Sequence, residues 1–174
     1  KHTLLIHKTS GSFFVLGELF TSLELPFDQA TTKHCGSCSA CIDICPTQAI
    51  VEPYLLDARK CIAYLTIEFQ GIIPLELRRG IGNRVFGCDD CQLICPWNSF
   101  AKTTPIDDFN PRHGLDDIQL IDLWQWDENT FMANTEGSPL RRTGYQSFMR
   151  NVAIGLGNAP FSDEILQQLQ ASRP

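Results

Sequence analysis

The sequence predicts an α+β protein of three segments, and three observations support that prediction. The first 26 residues are mostly apolar and rich in residue types that favour strands. All eight cysteines lie between residues 35 and 95. Beyond residue 114 the sequence has no cysteine, and apolar residues recur at the spacing of amphipathic helices. We therefore divide the chain into residues 1–30, 31–100 and 101–174.

Two apolar runs open the chain, Lys1–His7 and Phe13–Leu25, on either side of a Ser10-Gly11 turn. Their composition favours two antiparallel strands, although periodicity alone leaves a helix open for part of the second run. Because a lone pair of strands is marginal in water, we expect partner strands before Lys1. On this interpretation the sequence is a piece of a longer protein.

Helical periodicity predicts the elements that follow the first cysteines. A helix is expected over Asp57–Phe69, and Gly71 stops it. Pro74 then opens a short helix over Leu75–Arg79, which Gly80 closes.

Residues 99–114 are predicted to be a loop, and helices follow it. One helix is expected over Asp127–Asn134. A Ser138-Pro139 cap starts the next helix, which ends at Gly157, and Ser162 caps a last helix. Two antiparallel amphipathic helices of this kind are typical of one unit of an α-solenoid, such as a HEAT-like repeat.

The composition excludes several classes of protein. A net charge of −6 argues against a protein that coats nucleic acid by charge alone. The sequence contains no run of 18 apolar residues, so no membrane span is predicted, and no secretory leader is visible. Crowded cysteines in such a sequence indicate metal ligands in a reducing compartment, the cytoplasm, rather than disulfides.

The cysteines follow the spacing of iron–sulfur proteins. The first run, Cys35-x2-Cys38-x2-Cys41-x3-Cys45-Pro46, is the signature of bacterial ferredoxins, in which the fourth cysteine binds the other of two clusters. The second run, Cys88-x2-Cys91-x3-Cys95-Pro96, lacks its first cysteine, and Cys61 is the thiol left to replace it. The two predicted [4Fe–4S] sites are therefore Cys35, Cys38, Cys41 and Cys95, and Cys45, Cys61, Cys88 and Cys91.

Two zinc sites of four cysteines each would also use all eight thiols. Zinc sites, however, need neither the repeated x2 spacing nor the Cys-Pro ending. Two clusters that exchange their fourth ligands lie close together and pass electrons one at a time. The spacing therefore predicts electron transfer as the function.

Motifs around the cysteines extend beyond those of a ferredoxin. The chain contains KHTLLIH at its start, CGSCSACIDICP from Cys35, CIAYLTIE from Cys61, NRVFGCDDCQ from Asn83 and CPWN from Cys95. SPLRR and RNVAIGLGN follow towards the C-terminus. In these motifs and their order the sequence resembles the epoxyqueuosine reductases, cobalamin-dependent iron–sulfur enzymes that complete queuosine in tRNA.

The resemblance implies a fold and a reaction. Residues 1–30 would end a nitroreductase-like α/β domain that holds cobalamin, and residues 31–100 would form a ferredoxin-like domain with two clusters. Helical repeats from residue 101 onward would contact a tRNA anticodon stem-loop that carries epoxyqueuosine. A monomeric enzyme would reduce epoxyqueuosine to queuosine and water with electrons from a separate donor. The acid of the family precedes Lys1, so no catalytic residue is assigned, and His2 and His7 are interpreted as structural.

The resemblance also implies contacts for two sets of side chains. Contacts to cobalamin are expected from Ser12, Ala63, Tyr64, Glu68, Asp89 and Asp90, although the two aspartates fit a simple turn equally well. Phosphate contacts to tRNA are expected from Arg78, Arg84, Arg141, Arg142 and Arg150, because the guanidinium group binds phosphate through two parallel hydrogen bonds. Trp97, Trp124 and Trp126 are expected in the core or at a domain interface.

Two other functions stay open. A reductive dehalogenase would share cobalamin and both clusters, but it would act on a small organohalide and lack the arginine-bearing C-terminal helices. A plain two-cluster ferredoxin would not need the segments that flank the cysteines. The C-terminal arginines favour the reductase over both alternatives.

Overall fold

Seven α-helices and one antiparallel hairpin form most of the regular structure of residues 1–32 and 34–171, the part of the chain that the computed structural model describes. The hairpin pairs β1 (Ile50–Glu52) with β2 (Leu55–Leu56). The predicted α+β class is confirmed at this level. The helices are α1 (Ala40–Asp43), α2 (Leu75–Ile81), α3 (Asp90–Leu93), α4 (Leu120–Trp124), α5 (Glu128–Asn134), α6 (Tyr145–Asn158) and α7 (Asp163–Ala171).

The N-terminal segment does not form the two predicted strands. Its backbone makes a single bridge, in which His7 and Gly11 exchange hydrogen bonds of 2.8 and 2.9 Å. From residue 13 to residue 32 the backbone contains neither helix nor strand. A strand needs a neighbouring backbone to satisfy its N–H and C=O groups, and no described segment pairs with this run. Its apolar side chains are left exposed, Val15 by 88% and Phe27 by 97%.

The helix predicted over Asp57–Phe69 is interrupted at Cys61. Asp57 caps a separate 3-10 turn, Ala58–Lys60, and Cys61 is extended, with φ −68° and ψ 123°. Helical structure resumes after Cys61 and widens to a π-helix at Tyr64–Glu68. An extended residue breaks the series of backbone hydrogen bonds that a continuous helix requires, so the predicted single helix is wrong.

Helix α2 continues beyond its predicted end. Pro74 precedes it as predicted, but the helix runs through Gly80 to Ile81, and Gly82 ends it with a φ of 64°. Gly80 instead permits close packing, since a Cβ there would lie 3.0 Å from the carbonyl oxygen of Pro46. The helix therefore packs directly on the Cys-Pro end of the first cysteine run, a tertiary contact that the local sequence does not reveal.

The C-terminal helices follow the predicted pattern with two corrections. The helix predicted over Asp127–Asn134 is present as α5, and Asp127 caps it by accepting a backbone N–H of its first turn at 2.7 Å. The Ser138-Pro139 cap starts a 3-10 turn, Pro139–Thr143, and α6 begins only after it. The predicted end at Gly157 is wrong by one residue, because Asn158 completes α6 and its side-chain amide donates to two carbonyls at the end of α2.

Two hydrophobic clusters form the core, and α6 contributes to both. In one cluster Ile154 of α6 packs with four residues of the cysteine segment, Ile62, Leu65, Ile73 and Ile81. In the other, three side chains of α6 pack with α4 and α5, namely Phe148, Val152 and Leu156. Burial of one such side chain contributes about 1.5–3 kcal/mol, so α6 joins the cysteine segment firmly to the C-terminal helices.

The tryptophans of the C-terminal segment belong to this core, as predicted. Trp126 stacks on Phe148 with 5.8 Å between ring centroids, and Trp124 packs against the same cluster. Across residues 1–32 and 34–171, none of the helices is both long and apolar enough to cross a membrane.

Candidate metal centre

The two cysteine runs fold into the same local structure. Helix α1 contains Cys41 and helix α3 contains Cys91, and each helix begins one residue before its cysteine. The last cysteine of each run then donates its backbone N–H to the turn before it, Cys45 at 3.3 Å and Cys95 at 3.0 Å. Because α1 and α3 pack against each other, the two cysteine runs lie side by side.

Four thiols line the first thiol cavity, which has a volume of about 520 Å³. They are Cys35, Cys38, Cys41 and Cys95. Aromatic rings form its outer wall, with Trp97 placed 5.7 Å from His34 and 6.1 Å from Phe100 between ring centroids. Trp97 thus lies at the site rather than in the main core. Cys38 is exposed, so solvent reaches this cavity.

The other four thiols line the second thiol cavity, which is much smaller, at about 40 Å³. They are Cys45, Cys61, Cys88 and Cys91. Apolar side chains such as Ile62 complete the wall, and Asp90 places a carboxylate in it. The break in the helix at Cys61 therefore lies where the chain contributes a thiol to this cavity.

The grouping of the thiols is the one that the spacing predicts. Each cavity contains one thiol from the opposite run, Cys95 in the first and Cys45 in the second, and Cys61 fills the place of the absent cysteine. The geometry supports the ligand sets, whose metal binding stays a prediction. Thiolates suit both zinc and iron–sulfur clusters. Among the described residues, no three His, Cys, Asp or Glu side chains converge closely enough to hold a single ion.

Burial and neighbouring groups shift the pKa values of two thiols that line the second thiol cavity. Burial, reinforced by the surrounding cysteines, raises the pKa of Cys91 to about 11. Burial also raises the pKa of Cys88. The backbone N–H of Asp90 and the charge of Arg84 oppose this rise, whereas the Asp90 carboxylate adds to it. Since thiolates are the ligands of metals, binding at these cysteines must release protons.

Hydrogen bonds reach the sulfur atoms of two other cysteines. At Cys35, burial works to raise the pKa of the thiol, and a hydrogen bond from the Tyr54 hydroxyl works to lower it. Cys45 accepts the backbone N–H of Ala49 at 3.2 Å. Tyr54 has a positive φ of 66°, which is unusual for a residue with a side chain. Nothing in the residues around Tyr54 indicates this contact with Cys35.

Two polar residues that the sequence did not single out position the second run. The buried hydroxyl of Thr66 donates to the Ile62 carbonyl at 2.7 Å and accepts the Gly87 N–H at 2.9 Å, just before Cys88. Asn98, in the CPWN motif, accepts the backbone N–H of Ser12 at 2.6 Å.

A glycine permits this docking of the N-terminal segment. Gly11 has a φ of 75°, and a Cβ there would lie 2.1 Å from Oδ1 of Asn98. The hydroxyl of Ser12 is buried and bonds to Gln92 and Asn98, at 2.9 Å each. Of the residues expected to contact cobalamin, Ser12 is therefore already engaged with the protein.

The other residues expected at cobalamin differ in how they are placed. Asp90 forms an ion pair with Arg84, and Glu68 forms one with Arg142, each at 2.6 Å. Asp89 is exposed and accepts a hydrogen bond from Gln92, while Tyr64 is exposed and Ala63 half-buried beside it. Tyr64 and Asp89 are thus exposed polar members of the set, whereas the exposed Glu68 is engaged by Arg142.

The structure corrects the expectation for Arg150. Its guanidinium donates to the carbonyls of Phe69 and Gly71 at 2.7 Å each and to that of Leu65 at 2.8 Å. Two more bonds, at 3.1 and 2.9 Å, reach Oδ1 of Asn151, and burial lowers the pKa of Arg150. With its donors engaged in this way, Arg150 holds the end of the π-helix and does not present its charge for a phosphate.

The remaining arginines divide into engaged and accessible groups. Arg84 donates to the Ile81 carbonyl at 3.0 Å as well as to Asp90, so it is also engaged. Arg78 is half-buried and donates to the Ile73 carbonyl at 2.9 Å. Arg141 and Arg142 are exposed, the first donating to the Met132 carbonyl and the second paired with Glu68. These two present the most accessible positive charge of the set.

Comparison with known proteins agrees with this geometry. Residues 34–98 match the family described as the 4Fe-4S double cluster binding domain. A curated epoxyqueuosine reductase of Pseudomonas aeruginosa is 59% identical over 174 residues, which are 99% of this chain and 48% of that protein. The chain is therefore similar to the epoxyqueuosine reductases over nearly its whole length. It spans about half the length of the curated relatives that it matches.

Solved structures of the epoxyqueuosine reductase family have the same fold. The enzyme from Streptococcus thermophilus superposes with a TM-score of 0.83 at 29% identity, covering 97% of this chain and 44% of that one. Another epoxyqueuosine reductase, solved with an epoxyqueuosine-modified tRNA-Tyr stem loop, gives a TM-score of 0.75 at 32% identity. That match covers 83% of this chain and 38% of the other.

Proposed function

We propose that this chain is the electron-transfer region of an epoxyqueuosine reductase and binds two [4Fe–4S] clusters. The observation that carries the proposal is the division of eight thiols into two sets of four, each set facing its own cavity. Thiolates are the usual ligands of such clusters. The match of residues 34–98 to a double-cluster domain favours this assignment over two zinc sites. When bound, such clusters accept and release single electrons at low potential.

The protein's own part in this function is to hold and shield the ligands. Thr66 fixes the backbone just before Cys88, and Asn98 fixes the N-terminal segment against the second run. The N–H of Ala49 donates to the sulfur of Cys45 at 3.2 Å and so fixes the position of this sulfur. Apolar residues around the second thiol cavity limit the access of water.

The whole enzyme would use these electrons to reduce epoxyqueuosine in tRNA. Two electrons and two protons convert the epoxide oxygen to water and leave a carbon–carbon double bond, the change from epoxyqueuosine to queuosine. In this proposal residues 1–30 end a nitroreductase-like domain that holds cobalamin, residues 31–100 bind the clusters, and residues 101–174 form a HEAT-like segment. The enzyme would act as a cytoplasmic monomer with a separate low-potential donor.

Two contacts of this chain follow from the placement of its side chains. Tyr64 and Asp89 are the residues we propose to face cobalamin, because they present exposed polar groups close in the chain to Cys61 and Cys88. Ser12 and Asp90 would support the cobalamin site without touching the cofactor, Ser12 through its hydrogen bond with Asn98 and Asp90 through its ion pair with Arg84. Arg141 and Arg142 are proposed to contact tRNA phosphates, since an exposed ion pair such as Arg142–Glu68 is weak enough to exchange partners.

A plain electron carrier is the main competing function, and relatives argue against it. A structural relative was solved with an epoxyqueuosine-modified tRNA stem loop, and the similarity to this family extends beyond the cysteine segment into the C-terminal helices. A ferredoxin has no use for those helices. The same similarity disfavours a reductive dehalogenase.

The test uses the full-length enzyme, reconstituted anaerobically, with an epoxyqueuosine-modified stem loop and dithionite. Queuosine is measured by mass spectrometry of the digested RNA. We expect product from the wild-type enzyme, and loss of product together with about four of eight iron atoms in Cys61→Ser. Ser39→Ala, in the loop of the first run, is the matched control and should retain both. A wild-type enzyme that carries both clusters and reduces no epoxyqueuosine would contradict the proposed reaction.

A further inference from the structure

An ion pair lies at the wall of the second thiol cavity. The Arg84 guanidinium is 2.6 Å from the Asp90 carboxylate, and a second bond from Arg84 to the Ile81 carbonyl, at 3.0 Å, fixes its direction. The side chains of Arg84 and Asp90 are only 30% and 20% exposed. Both groups are therefore held in place and partly withdrawn from the screening of water.

Both charges lie at the same wall of the second thiol cavity. Asp90 belongs to the wall of the cavity, one residue from Cys91 and two from Cys88. The guanidinium of Arg84 is bound to this carboxylate, so a negative and a positive charge lie together beside the predicted ligands Cys88 and Cys91. Charges in a partly buried site act more strongly than exposed ones, so the balance between this pair sets the local potential.

We propose that Arg84, by neutralising Asp90 at this wall, is a positioning residue that sets the reduction potential of the cluster held by the second thiol cavity. The inference rests on the proposed function, because it requires a [4Fe–4S] cluster on Cys45, Cys61, Cys88 and Cys91. It gives Arg84 a role in electron transfer in place of the contact with tRNA that the resemblance implied.

The direction of the effect follows from charge. A [4Fe–4S] core of charge about +2 with four thiolates carries about −2, and one electron from a donor such as dithionite takes it to about −3. A neighbouring cation stabilises the more negative state and so favours reduction, and a neighbouring carboxylate opposes it. Loss of Arg84 removes the cation and also leaves Asp90 without its counter-charge. The cluster in the second thiol cavity then becomes harder to reduce, while the first cluster is affected less.

The experiment is a redox titration of reconstituted full-length protein, followed by low-temperature EPR. We expect Arg84→Gln to lower the ratio of reduced to oxidised cluster at a fixed potential about tenfold, which is 59 mV for a one-electron couple. Asp90→Asn should raise that ratio, and the double variant should return close to the wild-type value. Arg84→Lys keeps the charge and should shift the ratio less than Arg84→Gln.

Arg142→Gln is the matched control. It removes an arginine from an ion pair of the same 2.6 Å length, but Arg142 is 68% exposed and lines neither thiol cavity. It should leave both potentials unchanged. The inference is overturned if Arg84→Gln shifts neither cluster or shifts both equally, or if the double variant behaves like Arg84→Gln alone.

Cluster content separates this inference from the proposed function. Wild-type protein without about eight iron and eight sulfide per chain would contradict the proposed function itself. If Arg84→Gln does not retain the cluster of the second thiol cavity, the test rests on Asp90→Asn. A ratio of reduced to oxidised cluster in Asp90→Asn that equals the wild-type ratio then overturns the inference.

Discussion

Replacement of Arg150 by methionine tests how the C-terminal helices hold the cysteine segment. Methionine keeps an unbranched stem and removes the guanidinium that donates to the carbonyls of Leu65, Phe69 and Gly71. A hydrogen bond to a charged group contributes roughly 1.5–3 kcal/mol, and a buried carbonyl left without a partner costs a similar amount. Since Arg150 is only half-buried, water replaces part of what is lost. We expect the free energy of unfolding to fall by about 3 kcal/mol.

The assay is urea unfolding of the anaerobically reconstituted full-length protein, followed by the helical circular dichroism signal. The clusters bind the same cysteines in both proteins, so their contribution cancels in the difference. Arg142→Gln is the control, since an exposed ion pair contributes less than about 1 kcal/mol. A loss below about 1 kcal/mol in Arg150→Met would refute the structural role. A tRNA affinity whose salt dependence drops in Arg150→Met would show that Arg150 contacts phosphate after all.

Three further predictions follow from the same contacts. Asn151→Ala should lower the free energy of unfolding by about 2–4 kcal/mol in the same assay, because the carbonyls of Thr66 and Val85 lose their donor at 2.8 Å. A loss under about 1 kcal/mol would contradict this prediction. Arg141→Ala with Arg142→Ala in the full-length enzyme should weaken tRNA binding and reduce its salt slope by about 1–2, and an unchanged slope would refute the proposed contact. The yield of reconstituted cluster should rise from pH 7 to pH 9, because Cys91, with a pKa of about 11, must lose its proton to bind iron. A cluster yield that does not rise with pH would contradict this prediction.

The grouping of the cysteines was predictable because it depends on local spacing. Three thiols at every third position fit one cluster, and a fourth beyond the turn must reach another. Cys61 joined the second group by elimination, and the structure places it in the expected cavity. The cap at Ser138 was predictable for the same reason, since it acts within its own first turn.

The errors arose where distant parts of the chain decide the outcome. The first residues have strand-like composition, but strands need partners that no described segment provides. Gly80 has the sequence signature of a helix end, whereas the structure uses it for contact with Pro46. Arg150 lies in a motif that suggested RNA, yet the π-helix of Tyr64–Glu68 leaves carbonyls at its end that this side chain satisfies. None of these partners can be read from the residues next to them.

The composition of the metal centre is the most direct test of the account. We would measure iron, acid-labile sulfide and zinc in anaerobically purified protein, and record its EPR spectrum after reduction with dithionite. The account predicts about eight iron and eight sulfide per chain and a reduced signal broadened by coupling between two neighbouring clusters. About two zinc ions per chain without sulfide would contradict it, and with it the role in electron transfer.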